Sequence, residues 1–580
     1  MRRTFLALAL ATTPTMLAAQ QRDTLLDRQS LPRDVRQEVV DRWTAPTALR
    51  SSERVEIEDG REIRGNVAVQ HGPLILGGHV TGSVLAVNSD VILRSTARID
   101  GDLLVVGGEV EGRNAAYVGG EIRIYRQSLR YRQEGDRIVV DRSEREEDEE
   151  DEGWWRRLER RGARSWSDPI RIAQSGPYNR VEGLPVSVGP AIYERRSWGS
   201  FRLDAAAVVR TGSSFASEDS DVGHNVRGEV RLGRRQGIGI GGRAFNIVDP
   251  VESWQLTNLE VALAAFLFHR DYRDYYQRHG ASGFVTLFAG RDATLTGSIS
   301  DERWTSRVLN DPFTLFHNQD DWRANPLVDE GRFHLANATL RIDTRTDPDE
   351  PWSGWYIDGN VEGGRGRYTA VAPLSSPAGR SVQVGEAVAY TRGFLDIRRY
   401  NRLSPFAQIN LRAVVGGWVS GDPLPLQRRV SVDGPGALPG FDFRSDRGGV
   451  DIATCSVGTP VLGRPAQCDR IALAQIEYRG DISFDLFEDW NDGVHYRHRS
   501  GRASAAWVVF ADAGRGWIVG DAATDEDDLI YERDRLPPLS TFRTDIGIGL
   551  DFGGFGIYGA KSVSTPGQPA NFFVRLKHRF

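Results

Sequence analysis

Long hydrophobic runs are missing from this chain. Beyond the extreme N-terminus no segment offers the roughly 20 continuous apolar residues that a spanning helix needs. An exported chain of this kind is either soluble or crosses a membrane as a closed barrel. A large charge of one sign is missing as well. The formal net charge is -6 over 580 residues, which gives no argument for a nucleic-acid partner. Cysteine is scarce: there are 2, Cys455 and Cys468, and nothing near them makes a metal site. Histidines in the C-terminal two-thirds (His224, His269, His279, His317, His334, His495, His498, His578) are scattered. None stands near a Ser or Asp in a catalytic spacing, so no enzyme, cofactor or metal is expected.

What is present begins with a processing signal. Met1-Arg2-Arg3 is a basic head, Phe5 to Ala11 a short apolar core, and Ala18-Ala19-Gln20 a small-residue cleavage site. Residues 1–20 are expected to be a signal peptide. Residues 21–54 are polar and linker-like, with room for one short helix around Val35 to Asp41. From 55 to 140 short β-branched runs recur between glycines, with Gly65, Gly82 and Gly101 about one solenoid turn apart. Each run is too short to bury a face alone, so a small parallel β-helix of about three or four coils is expected. A small β-sandwich is the alternative. The rhythm resembles the polymer-forming domains of the bactofilin type. Residues 141–177 form a charged and aromatic linker. Its acidic run at 144–152 is followed by Trp154, Trp155, Arg156 and Arg157, which suit the depth of lipid headgroups.

From Arg180 the period is two. The composition has 63 glycines, 16 tyrosines, 24 phenylalanines and 14 tryptophans with 40% apolar residues. That balance suits a sheet that is apolar on its lipid face only. In residues 542–550, Phe542, Thr544, Ile546, Ile548 and Leu550 share one face, with Arg543 and Asp545 opposite. A charge facing lipid at mid-depth costs about 2–4 kcal/mol, so Arg543 and Asp545 should face the lumen. The expected fold is all-β: about sixteen transmembrane strands over residues 178–580, preceded by a small periplasmic β-helix-like domain. The strands would open near Leu184 to Tyr193, include Leu259 to Phe268 and Val382 to Tyr390, and close on 572–580. Glu386 shares a face with Val384 and Val388, which implies a bulge or a misplaced strand there.

The longest loop, 421–467, contains Val432-Asp-Gly-Pro-Gly-Ala-Leu-Pro-Gly-Phe-Asp-Phe-Arg444. Its glycines permit tight folding, and Phe441 and Phe443 call for a cover, so the loop is expected inside the lumen. Asp512 would face inward, with Ala511 and Ala513 on the other face. A buried carboxylate needs a partner, and an arginine of the loop would supply it. Cys455 and Cys468 could close a disulfide within the same loop.

With its long loop before strand twelve, the segment from Phe510 to Trp517 and the terminal Phe580, the region 178–580 resembles the Omp85 superfamily of outer-membrane barrels (surface antigens). In that family the loop carries Arg-Gly-Tyr or Arg-Gly-Phe. The matching positions here are Pro439, Gly440 and Phe441, following Leu438. Arg444 is the nearest arginine, and with Asp512 and Gly514 it completes the expected loop lock. The family's repeated POTRA domains have no counterpart before the barrel. The resemblance implies an outer-membrane location with the N-terminal domain in the periplasm. It implies protein insertion or translocation through a barrel seam, between the Gly183 side and Phe572, with no chemistry. Expected partners are outer-membrane lipid and unfolded client proteins or a periplasmic partner. The alternative is a structural or pore-forming barrel that anchors a periplasmic scaffold.

Overall fold

The computed structural model describes most of residues 25–140 and 170–580, apart from short segments of which the longest are 213–221, 374–381, 458–464, 486–501 and 521–528. The signal peptide, the acidic and aromatic linker, the acidic stretch after Gly520, His495 and His498 therefore lie outside the described residues. The chain divides into two compact units, 1–144 and 145–580.

The first unit is a parallel solenoid. One side is a 6-stranded sheet and the other two sides are sheets of 4 strands each. Residues one coil apart sit in register: Val67 beside Val84, Val84 beside Leu103, and Leu103 beside Ile122. Stacking places Val67, Val84, Leu103 and their neighbours in a single apolar interior. The glycine rhythm has a steric cause. A Cβ on Gly82 would stand 2.4 Å from the Gly65 carbonyl oxygen, one coil away. The solenoid starts earlier than the expected linker boundary. Helix α1, Arg33–Thr44, lies against the six-stranded sheet through Val35, Val39 and Trp43, which meet Leu85, Leu104 and Val106. The strand Leu25–Arg28 pairs with Ile122–Tyr125, so the first described residues cover the edge of the last coil.

The second unit is built on one 17-stranded sheet. It is antiparallel throughout, except that the two-residue strand Ile530–Tyr531 runs parallel to Arg502–Val519. Its connections alternate in length. Residues 197–198 are a short turn at one end, while 251–274, 307–329 and 422–469 are long connections at the other. The long connections cover one face. Val432, Leu438 and Phe441 of the 422–469 connection form one core with Val414, Ile471 and Leu473 of the strands. The opposite face is bare and apolar, with Ile546 56% and Ile548 67% exposed. Arg543 and Asp545 point to the covered face, where Arg543 pairs with Asp451 at 2.8 Å.

Four expected elements are corrected. Leu259 to Phe268 is not a strand but a helix, α2, Asn258–Phe268, in the connection before Tyr275–Ala289. Its side chains are apolar on every side, so no alternation marks it, and Thr257 with Glu260 forms a full capping box at its start. The sheet opens not near Leu184 but with Ile170–Gln174, which pairs with Pro185–Arg196. The strand expected at Val382 to Tyr390 runs Ala387–Ser404, which removes the conflict at Glu386 by leaving it in the preceding turn. The last strand is Asn571–Arg575 and stops five residues short of Phe580.

Candidate functional site

The covered face of the sheet is held by a tight turn in the long connection. Gly434 adopts φ +92°, and the amides of Ala437 and Leu438 donate back to its carbonyl at 3.1 and 3.0 Å. The turn packs too closely for side chains. A Cβ on Gly436 would lie 2.1 Å from the Gln255 carbonyl oxygen, and one on Gly440 would lie 2.5 Å from the Asp545 Cβ. The Gly440 amide donates to the Asp545 carboxylate at 2.7 Å. Pro439 accepts from the Asn571 side chain at 3.2 Å, so the turn also touches the last strand. Phe441 is buried and lies under the Arg543 guanidinium, 5.1 Å from its ring centre. Gly514 sits where a Cβ would come within 3.0 Å of both Leu473 and Val432, so its strand meets the loop core directly.

Cys455 and Cys468 form a disulfide, and both are fully buried. Cys468 also exchanges backbone hydrogen bonds with Val430 at 3.1 Å in both directions, which joins the two limbs of the connection.

Asp512 faces the covered side, as the alternation requires, and is the register partner of Asp545. Its partner is not Arg444. The guanidinium of Arg579 donates to Asp512, and Gln475 donates at 3.2 Å. Arg444 instead turns away at φ +51° and meets Asp274 at 3.5 Å, Asp433 at 3.8 Å and Glu252 at 3.9 Å. The reason is local. The loop reaches Asp545 through a backbone amide, and the left-handed residue at 444 points its side chain back toward the 251–274 connection.

The chain's end supplies what the loop was expected to supply. After Arg575 the backbone leaves the sheet. Arg579 reaches Asp512, His578 meets Asp551 at 3.0 Å, and Phe580 is buried. Arg575 donates to Glu260 of α2 at 2.5 Å, and the Leu576 amide donates to the same carboxylate at 3.2 Å. Sequence reasoning passed over Glu260, Arg575 and Arg579. The alternation through 571–580 hid the break. The Thr257-x-x-Glu260 pattern was the available signal for the helix that receives Arg575.

The two ends of the sheet are short. Ile170–Gln174 and Asn571–Arg575 each have 5 residues, against 12 in Pro185–Arg196. Phe572 stands on the bare face, 83% exposed. Gly183 does not lie in the first strand. At φ +67° it closes a turn in which Asn179 and Gly183 exchange backbone hydrogen bonds of 3.0 and 2.9 Å. Glu182 beside it pairs with Arg210 at 2.9 Å.

The fold and site define a class: a β-solenoid followed by a large antiparallel sheet whose long connections fold over one face and whose far face is apolar. Solved structures of similar shape include BamA from Haemophilus ducreyi lacking POTRA domains 1–3. It is 13% identical with a TM-score of 0.39, over 77% of this chain and 80% of that one. CdiB from Acinetobacter baumannii (10% identity, TM-score 0.30) is matched over 70% of this chain and 59% of its own length. CdiB from Escherichia coli (12%, TM-score 0.26) is matched over 70% of this chain and 61% of its own. The chain thus spans less than two thirds of either CdiB. No protein-family model and no curated protein matches the chain.

Proposed function

We propose that residues 178–580, together with the opening strand Ile170–Gln174, form an outer-membrane barrel, with residues 55–140 and the helix before them in the periplasm. The bare apolar face would contact lipid and the covered face would line the lumen. The protein would assist the insertion or translocation of other polypeptides, without chemistry, through a seam between Ile170–Gln174 and Asn571–Arg575. The observation that carries this is the pair of five-residue terminal strands, whose sheet neighbours have 12 and 7 residues. Short terminal strands hold a seam with few hydrogen bonds, and a free strand edge can template a client strand. The loop core and the buried chain end fill the covered face, which fits a protein-handling barrel better than a pore.

Cysteine pairs placed across residues 170–174 and 571–575 test the seam. Oxidation should cross-link them in membranes and stop assembly of outer-membrane clients, and reduction should restore it. Cross-linked cells with undiminished client assembly would remove the seam mechanism and favour the structural alternative.

A further inference from the structure

The bare face of the large sheet carries a second pattern. Ladder register lines up one row of outward side chains across adjacent strands: His279 opposite Arg303, Arg303 opposite Arg332, and Arg332 opposite Arg367. The next row toward the short-turn end is Asp301, His334 and Arg365. Arg303, Arg365 and Arg367 are exposed, and the Arg332 and His334 side chains are 71% and 67% exposed. Asp301 is the acid within these rows, and it accepts from Arg332 at 2.9 Å.

Acids at the same rim are engaged elsewhere. Glu330 accepts the Ser306 amide at 2.8 Å, Glu386 the Gln383 amide at 2.8 Å, and Asp422 the Ala389 amide at 2.7 Å. These carboxylates keep their charge but are turned to backbone amides, while the two rows themselves carry Arg303, Arg332, Arg365 and Arg367 against the single acid Asp301, so the rows are cationic.

Beneath it most side chains become small, with Ile299 standing among them. Ala281, Gly283, Ala336, Gly363 and Ala389 line a hollow of about 850 Å³ whose upper edge is Asp301, His334 and Arg365. Further down the same strands the face is apolar, with Val285, Leu287, Leu295, Leu340 and Val361 all exposed. Cationic, hollow and apolar levels follow one another along the strands, in the order in which a phosphorylated lipid presents its headgroup and chains.

We propose that this patch seats the phosphate-bearing headgroup of a membrane lipid, with the top of an acyl chain in the hollow. Guanidinium forks match phosphate oxygens in pairs, and adjacent arginines on neighbouring strands can hold one headgroup at several points. Because the patch lies at the long-connection end, it faces the leaflet at that rim. The inference rests on the barrel reading above.

The test uses the full chain in non-ionic detergent and native mass spectrometry. The probes are a bis-phosphorylated acylated disaccharide lipid, the same lipid after dephosphorylation, and inorganic phosphate. The phosphorylated lipid should stay bound and the dephosphorylated one should not. Combining Arg332→Gln, Arg365→Gln and Arg367→Gln should weaken retention about tenfold or more. Equal retention of both lipids, or no effect of the three replacements in a folded protein, overturns the proposal. Displacement of the lipid by inorganic phosphate at matched concentration also overturns it, because it marks a free-anion site. If the triple variant loses the heat-modifiable gel mobility of a folded barrel, the two lipids compared on the unaltered chain decide the question. A chain that stays monodisperse without detergent would instead sink the barrel reading itself.

Discussion

Arg575 of the last strand and Glu260 of helix α2, 315 positions apart, form a buried ion pair at 2.5 Å. The same carboxylate caps its own helix by accepting the Thr257 amide at 2.9 Å. One side chain thus fixes both the start of a helix laid over the covered face and the end of the sheet. Breaking a buried pair by removing one partner costs about 3–5 kcal/mol, because the other charge is left without its counterion. Arg575→Ala should lower unfolding stability in detergent by that order. Arg575→Ala combined with Glu260→Gln should recover part of the loss. A single variant within about 0.5 kcal/mol of the parent would mean that water reaches the pair.

Gly440 brings the loop directly against the sheet. Gly440→Ala forces a Cβ to 2.9 Å from the Lys561 carbonyl carbon as well as against Asp545, so the turn must lift. Overpacking of this kind costs about 1–3 kcal/mol. The expected outcome is faster proteolysis within residues 422–469 while the strands stay protected. Unchanged cleavage would show that the turn can shift without leaving its seat.

The Cys455–Cys468 disulfide closes a loop of 13 positions inside the same connection. A cross-link of roughly that span stabilises by about 3 kcal/mol in the chain-entropy picture. Replacing both cysteines with alanine should therefore raise hydrogen exchange around Val430 and Ala453 without altering the sheet. Equal exchange in both proteins would assign the hold to the Val430–Cys468 backbone pairing alone.

Glu38 of α1 accepts two hydrogen bonds from Arg123, at 2.8 and 2.5 Å, and meets Arg42 at 2.7 Å. The Arg123 hydrogen bonds lead in holding its carboxyl below the ordinary value. The folded form therefore binds this proton less readily than the unfolded chain does. The contribution is present above the unfolded carboxyl value and is lost as pH falls through the lower folded one. The pair is partly exposed, so the effect should be about 1 kcal/mol or less. Exchange protection of the solenoid should weaken on acidification below about pH 4, and Glu38→Gln should flatten that dependence. An identical acid response in the variant would exclude Glu38 as its source.

Much of this architecture is legible in the residues. The period of two located most of the strands, because a half-buried sheet must alternate. The glycine rhythm disclosed the solenoid, because its coils touch at those positions. The segment 259–268 carries neither period, because apart from Glu260 its side chains are apolar all round, and its capping box is its one local helix signal. The partner of Asp512 could not be read at all. Arg444 and Arg579 are equally plausible on charge, and only the left-handed turn at 444 and the inward path of residues 576–580 decide between them. The strand boundary at Arg575 was hidden for the same reason: His578 and Phe580 continue an alternation that the backbone abandons.

The strand Leu25–Arg28 lies beside Ile122–Tyr125, on the coil that is made last. A polypeptide exported from its N-terminus delivers the first of these segments long before the second. On the export route proposed above, that edge of the six-stranded sheet stays open until nearly a hundred further residues have followed. Closure of this edge therefore requires the whole solenoid, from Leu25 to Tyr125, to be present.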